Sequence, residues 1–340
     1  MTMMRSGLLI GFLAVAYLGV PLLFGGMDYV MSLVIAALTI GGIAVAWALL
    51  GNLGGLVSFG HAAFFGVGAY VSALLVMDNG WPVLPAMLAG GLGAAIASVA
   101  AMPALRLRGP YFALAILAYA HIFKILAVEF SGITGGAGGL LSIPGFPTVF
   151  GLDLASKTGA YLLILTIVLA WMAVYHAIRR STWGLALRAM HDSELATRVV
   201  GVPSTHLKAV MLVVSAFMTG VVGAFNAHQI SFLDPEYAFS GTWTVLPIAA
   251  AIFGGYRTIW GPLMGALVVY LLDQLVFKEI MPSGHQLVFG VLLGAMILLS
   301  PQGLMPLLAR LGVSRPRREP AGTAAPHATA QATEDGNARA

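Results

Sequence analysis

The feature that most limits what this chain can fold into is a recurrence of long stretches without charge. Residues 7–25, 29–50 and 82–103 contain no Asp, Glu, Lys or Arg. Crossing the hydrocarbon core of a bilayer takes about 20 apolar residues in a helix, so each stretch is long enough. Of the 340 residues 59% are hydrophobic and 9% charged, whereas soluble domains carry about a quarter charged residues. A water-exposed fold cannot bury that much apolar surface. The chain therefore reads as all-α, a polytopic integral membrane helical bundle.

The first stretch follows Arg5 and resembles a secretory leader in outline. It exceeds the ~7–15 apolar residues of a leader's core, and no small-x-small cleavage site precedes Met27, so it is expected to stay as a first span. Hydropathy, punctuated by Gly, Pro and charge, gives about ten spans: 7–25, 29–50, 61–78, 82–103, 110–130, 157–178, 207–229, 243–256, 261–280 and 285–300. The eighth is short enough to be re-entrant. The stretch GNLGGLVSFG (Gly51 to Gly60) is too glycine-rich for a stable helix, and non-helical backbone at membrane depth needs protein or a cavity around it.

The basic residues give the orientation. With the N-terminus inside, the inner loops hold Arg5, Arg106, Arg108, Arg179, Arg180, Arg188, Arg198, Lys208 and Arg257, and the outer loops only Lys157 and Lys278. This predicts N-in/C-in. Residues 1–304 are expected to form the transmembrane domain, with 179–208 as a cytoplasmic loop. Residues 305–340, rich in Pro, Ala and Arg, are expected to be a disordered cytoplasmic tail. Gly54-Gly55 with Tyr70, and Gly254-Gly255 with Tyr270, recur at one spacing, a faint echo of the repeated halves found in transporters.

Several chemistries are excluded. None of the four lysines (Lys124, Lys157, Lys208, Lys278) follows a glycine, so there is no P-loop, and neither H-E-x-x-H nor G-x-S-x-G occurs. Cysteine is absent, which removes thiolate nucleophiles and Cys-bearing metal sites. The histidines are too scattered to ligate a metal. No catalytic residue, metal or cofactor is expected, and the basic residues fit topology rather than nucleic-acid binding.

Within 179–208, Asp192 or Ser193 can cap a short helix, with Glu194 in its first turn. Gly201 suits the position after its end, Pro203 blocks continuation, and Ser204 or Thr205 can cap the next span. Leu195, Ala196, Val199 and Val200 share one side. On spacing alone this helix could rest on lipid or fit a groove on a partner. Intramembrane polar residues mark pathways or partners. Asn52, Ser58 and His61 flank the glycine-broken segment, where Gly54 and Gly55 permit close approach or positive φ, with Tyr70 beyond. His121, Lys124 and Glu129 share the fifth span, where Lys124 and Glu129 could pair. Asn226, His228 and Gln229 end the seventh. Interhelical hydrogen bonding explains any of these as simply, and the motifs Gly51-x-x-x-Gly55, Gly261-x-x-x-Gly265 and Gly290-x-x-x-Gly294 suggest close helix packing.

LLGNLGGLVSFGHAAFFGVGAYVSALL (Leu49 to Leu75), LRLRGPYFALAILAYAHI (Leu105 to Ile122), ITGGAGGL (Ile133 to Leu140), WGLALRAMHDSELATRVVGV (Trp183 to Val202), AAIFGGYRTIWGPLMGALVVYLL (Ala250 to Leu272) and SPQGL (Ser300 to Leu304) closely resemble branched-chain amino acid ABC transporter permeases of the LivM type. The resemblance implies a bacterial inner-membrane permease subunit, without ATPase chemistry of its own, translocating branched-chain or related hydrophobic amino acids. Its partners would be a second, different permease subunit, two cytoplasmic ATPase subunits and a periplasmic substrate-binding protein. Leu195-Ala196-Thr197 takes the place of the family's Glu-Ala-Ala coupling triplet, with Gly201 as its glycine. The first position is not acidic here, and Glu194 sits one residue early. Similar permeases carry urea, short amides or aromatic acids. An ion-coupled secondary transporter is the rival of another class, but the acidic residues lie mostly at span ends rather than near the bilayer midplane.

Overall fold

A computed structural model describes residues 15–280 except 108 and 150, and isolated positions between 284 and 305. The start of the first expected span, all but the first residue of the expected tail over 305–340 and most of the expected span over 285–300 lie outside the described residues.

The main helices among the described residues are α1 (Val15–Phe24), α2 (Asp28–Leu53), α3 (His61–Met77), α4 (Val83–Ala100), α5 (Pro110–Glu129), α6 (Lys157–Arg180), α7 (Thr182–Asp192), α8 (Glu194–Val199), α9 (Ser204–Ile230), α10 (Thr242–Gly254) and α11 (Gly261–Leu272). Among the described residues six stretches are long and apolar enough to cross a membrane: α2, α4, α5, α6, α9 and Pro235–Gly254, which ends in α10. The chain is thus a multi-pass helical membrane protein. Boundaries follow local chemistry. Pro110 opens α5, where a missing N–H costs nothing. Ser156 caps α6 by accepting from the Gly159 amide at 3.0 Å, and Ser181 caps α7 through Gly184.

α2 runs through the middle and packs on α6, α9, α10 and α11, while α9 crosses α3 and α4. At that crossing a side chain on Gly68 would overlap the Gly220 backbone, and one on Gly90 the Gly68 carbonyl. Only glycines let three backbones approach so closely, as small residues do at membrane helix interfaces. On one side of the bundle, Leu140–Leu141 pairs antiparallel with Phe232–Leu233, and Thr148–Val149 with Leu152–Asp153.

Several expectations need correction. Lys124 pairs with Glu236 from the turn Pro235–Ala238, not with Glu129; long-range folding brings a carboxylate nearer than the helix does. Asn226 and His228, in contrast, make the hydrogen bonds between segments that the simpler reading expects: Asn226 accepts from Tyr237 Oη at 2.8 Å. His228 donates Nδ1–H to the Pro144 carbonyl (2.7 Å), leaving Nε2 to accept from Ser72 Oγ (2.9 Å). A side chain on Gly51 would meet only the Trp47 ring of its own helix, and one on Gly55 would meet open space, so that motif is no packing contact. Gly261 and Gly265, in contrast, lie against the backbone carbonyls of Gly255 and Ala250. The 179–208 region holds two helices rather than one: Ser181 caps an additional helix, α7, before Ser193 caps α8. Ser204 does not cap α9. Pro203 precedes that helix without a side-chain bond, and Ser204 Oγ accepts from Arg198 Nε at 2.6 Å.

Candidate functional site: a broken helix and an exposed arm

Two places concentrate the residues singled out by sequence. The first is the break between α2 and α3. The last turn of α2, Leu49–Leu53, widens to a π-helix, and residues 54–60 carry no helix. Gly55 has φ +66°, a conformation that side chains resist. The freed backbone is satisfied from within the protein. Leu56 N–H donates to Leu50 O (3.4 Å), Trp47 Nε1 to Ser58 O (2.9 Å) and Gly60 N–H to Ser58 Oγ (3.3 Å). Thr244 Oγ1 accepts the Ala62 amide at 3.0 Å, covering an orphan donor at the start of α3.

Gly55, Leu56, Val57 and Phe59 form one wall of an apolar cavity of about 620 Å³, and Pro110, Phe112, Ala113, Leu114 and Leu117 of α5 form the other. Of the expected pathway residues only Gly55 lies on this wall. Gly54 sits at the end of the π turn, and Ser58 is buried and turned back on the chain. His61 is buried too, with Nε2 at 3.0 Å from Ser215 Oγ. Because Ser215 donates to the Ala46 carbonyl (2.8 Å), its oxygen accepts from His61, which fixes the Nε2–H tautomer. His61 therefore ties α3 to α9 and α2. Tyr70 is buried against Phe239, the rings nearly parallel at 6.0 Å. Asn52 donates to Tyr175 Oη at 2.6 Å and lines a separate cavity with Arg179 and Arg257. Sequence reading misses Leu56, Val57, Phe59 and the start of α5. Their one available signal is position, the first three in the glycine-rich stretch and the rest after the Gly109-Pro110 break.

The second place is the arm formed by α7 and α8. Ser193 caps α8 by accepting the Ala196 amide at 3.3 Å. Gly201 has φ +86° and its amide donates to Arg198 O, the left-handed ending expected after a short helix. Leu195, Val199 and Val200 are 77%, 81% and 77% exposed, and Ala196 is exposed beside them. Thr197 turns inward, its hydroxyl donating to Ser193 O at 2.7 Å. Glu194 does not stand free. It accepts from Arg198 at 2.7 Å and from Lys208, on α9, at 2.8 Å. The Lys208 hydrogen bond is the main reason its carboxyl lies below the usual carboxylate value, with partial burial opposing. The arrangement presents a small apolar face on a helix anchored by charge.

Residues 6–301 match the family described as branched-chain amino acid transport system / permease component. The chain belongs to this family. Among its relatives is the high-affinity branched-chain amino acid transport system permease protein LivM of Salmonella typhimurium, 30% identical over 285 residues, covering 75% of this chain and 65% of that protein. LivM of Escherichia coli K12 is 29% identical over the same shares. The chain thus spans about two thirds of the length of these LivM relatives. LivH of Escherichia coli K12 is 22% identical over 286 residues, 77% of this chain and 90% of LivH. No solved structure matches.

Proposed function

We propose that this family member is the permease subunit of an ATP-binding cassette importer for branched-chain or related hydrophobic amino acids in a bacterial inner membrane. It crosses the membrane about ten times with both termini in the cytoplasm, residues 1–304 forming the membrane domain and 305–340 a disordered cytoplasmic tail. A second permease subunit completes the pathway, two cytoplasmic ATPase subunits bind and hydrolyse ATP, and a periplasmic protein delivers the substrate.

One observation carries this reading: an outward apolar face of Leu195, Ala196, Val199 and Val200 on a charge-anchored helix. A face exposed in water and backed by ion pairs suits a groove on a partner. Glu194, Thr197 and Gly201 set the pose of that face from behind. The apolar wall at Gly55–Phe59 favours aliphatic side chains, and the segment from Asn52 and Gly54 through Ser58 and His61 to Tyr70 shapes it. ATP-driven closure of the ATPase pair would reach this wall through α8.

The test is Ala196→Glu, which puts a charge on the apolar face outside the membrane. Uptake is expected to fall at least tenfold, about 1.4 kcal/mol of coupling, and the ATPase subunit to co-purify poorly while the protein still inserts. Full uptake with a normal ATPase complex would show that α8 is not the docking element.

A further inference from the structure

Where α6 ends, positive charge converges from three separate elements. Arg179 near the end of α6, Arg188 and His191 on α7, and Arg257 in the turn before α11 line one cavity of about 480 Å³, closed by Asn52 and Leu53. Arg188 is steadied by donating to the Arg179 carbonyl at 3.0 Å, and Arg257 stands 5.8 Å from the Tyr256 ring centre. No ion pair neutralises these arginines among the described side chains, because Glu194 is taken by Arg198 and Lys208. Within residues 179–192 the sequence holds three arginines and a single acid, Asp192. Span orientation asks only that basic residues lie in the inner loops; it does not gather them around a concavity. Guanidinium forks fit phosphate oxygens with two parallel hydrogen bonds.

An independent feature bears on which phosphate would fit there. On α7, Trp183 and Leu185 are 47% and 69% exposed, and a second cavity of about 370 Å³ is lined by Arg179, Arg180, Ser181, Thr182, Leu185 and Arg188. A short helix with Trp and Leu exposed beside arginines lies in the plane of a membrane interface. Basic pockets between helix ends on that side bind lipid head groups.

We propose that the Arg179–Arg188–Arg257 cavity binds the phosphate of an anionic phospholipid, with α7 lying on the same leaflet. The inference rests on the membrane orientation proposed above and not on the transported substrate. It is tested by thermal unfolding of the full-length chain in neutral detergent, titrated with phosphatidylglycerol, phosphatidylcholine or inorganic phosphate. Phosphatidylglycerol is expected to stabilise and phosphatidylcholine not to. Arg188→Gln should raise the half-saturating concentration about fivefold, and Arg188→Gln with Arg257→Gln about thirtyfold, the scale of one interfacial charge per arginine. Arg106→Gln, an equal loss of charge on another loop, should leave it unchanged. Equal weakening by Arg106→Gln, equal stabilisation by phosphatidylcholine, or Arg188-dependent stabilisation by inorganic phosphate alone would overturn the lipid site. So would a double variant that still responds to phosphatidylglycerol but no longer retains the ATPase subunit, since the cluster would then be a protein-docking surface.

Discussion

Where α3 crosses α9, two backbones touch and nothing but hydrogen fits between Gly68 and Gly220. On the arm, the six residues of α8 are tied back to α9 by Glu194 accepting from Lys208 and by Arg198 donating to Ser204. The crossing is fixed by hard-sphere sterics, which tolerate no added volume and ignore salt and pH. In the arm, α8 is held by charge at the surface, where a pair contributes about 0–1 kcal/mol. Under the proposed function, the contrast separates a bundle that must stay intact from a peripheral element that a partner would move.

The largest expected effect tests the rigid side. Gly68→Val drives a branched side chain into the Gly220 backbone, with Gly90 packed just behind. Overpacking of this kind costs typically about 1–3 kcal/mol and more where backbone must move. The variant is expected to lose most of its folded, monodisperse yield on size-exclusion chromatography. Normal yield and thermal stability would mean the crossing can open, and the contrast with the arm would weaken.

An intermediate effect is expected at the break. A methyl group on Gly55 would meet no atom within 4 Å, yet φ there is +66°. Gly55→Val therefore adds strain of about 1–3 kcal/mol without a clash, and its branch enters the apolar cavity. Insertion should survive while uptake falls at least tenfold. Unchanged uptake would relegate the cavity wall to passive packing.

How far the sequence reveals this follows the same division. Membrane class, the ends of most helices and the left-handed Gly201 are legible, because they depend on apolar run length, Ser and Pro at helix starts and glycine after a cap. The exposed face of α8 is legible from the spacing of Leu195, Val199 and Val200. Contacts between distant segments are not. Lys124 reaching Glu236, His61 turning to Ser215 and Asn52 facing the arginine cavity all depend on how helices cross, which local patterns do not encode. α7 escapes notice because Ser181 as a cap, followed by Trp183 and Leu185 among arginines, reads as loop when the helix after it has the stronger signals. Glu194 stands out as a coupling candidate from its place in the motif, whereas its partner Lys208 is legible only once α9 is seen to start beneath it.

The smallest expected effect on folding belongs to that pair and probes the arm itself. Glu194 has its carboxyl held below the ordinary range, chiefly by the Lys208 hydrogen bond. A depressed carboxyl contributes stability above its unfolded value, near ~4.3, and loses it as pH falls through the lower folded value. Protection of α8 amides from hydrogen exchange should therefore stay level from about pH 8 to 6 and decline only well into the acid range. Glu194→Gln or Lys208→Met should lower that protection at neutral pH by a factor of about two to five, the scale of a surface pair; Glu194→Gln should also remove the acid decline, and Lys208→Met, which leaves the Arg198 pair, should only reduce it. Global thermal stability should barely change, since the glycine crossing does not depend on the arm. If either variant instead unfolds the bundle, or if α8 protection titrates near pH 7, the arm is not a separately held element and charge is not what holds it.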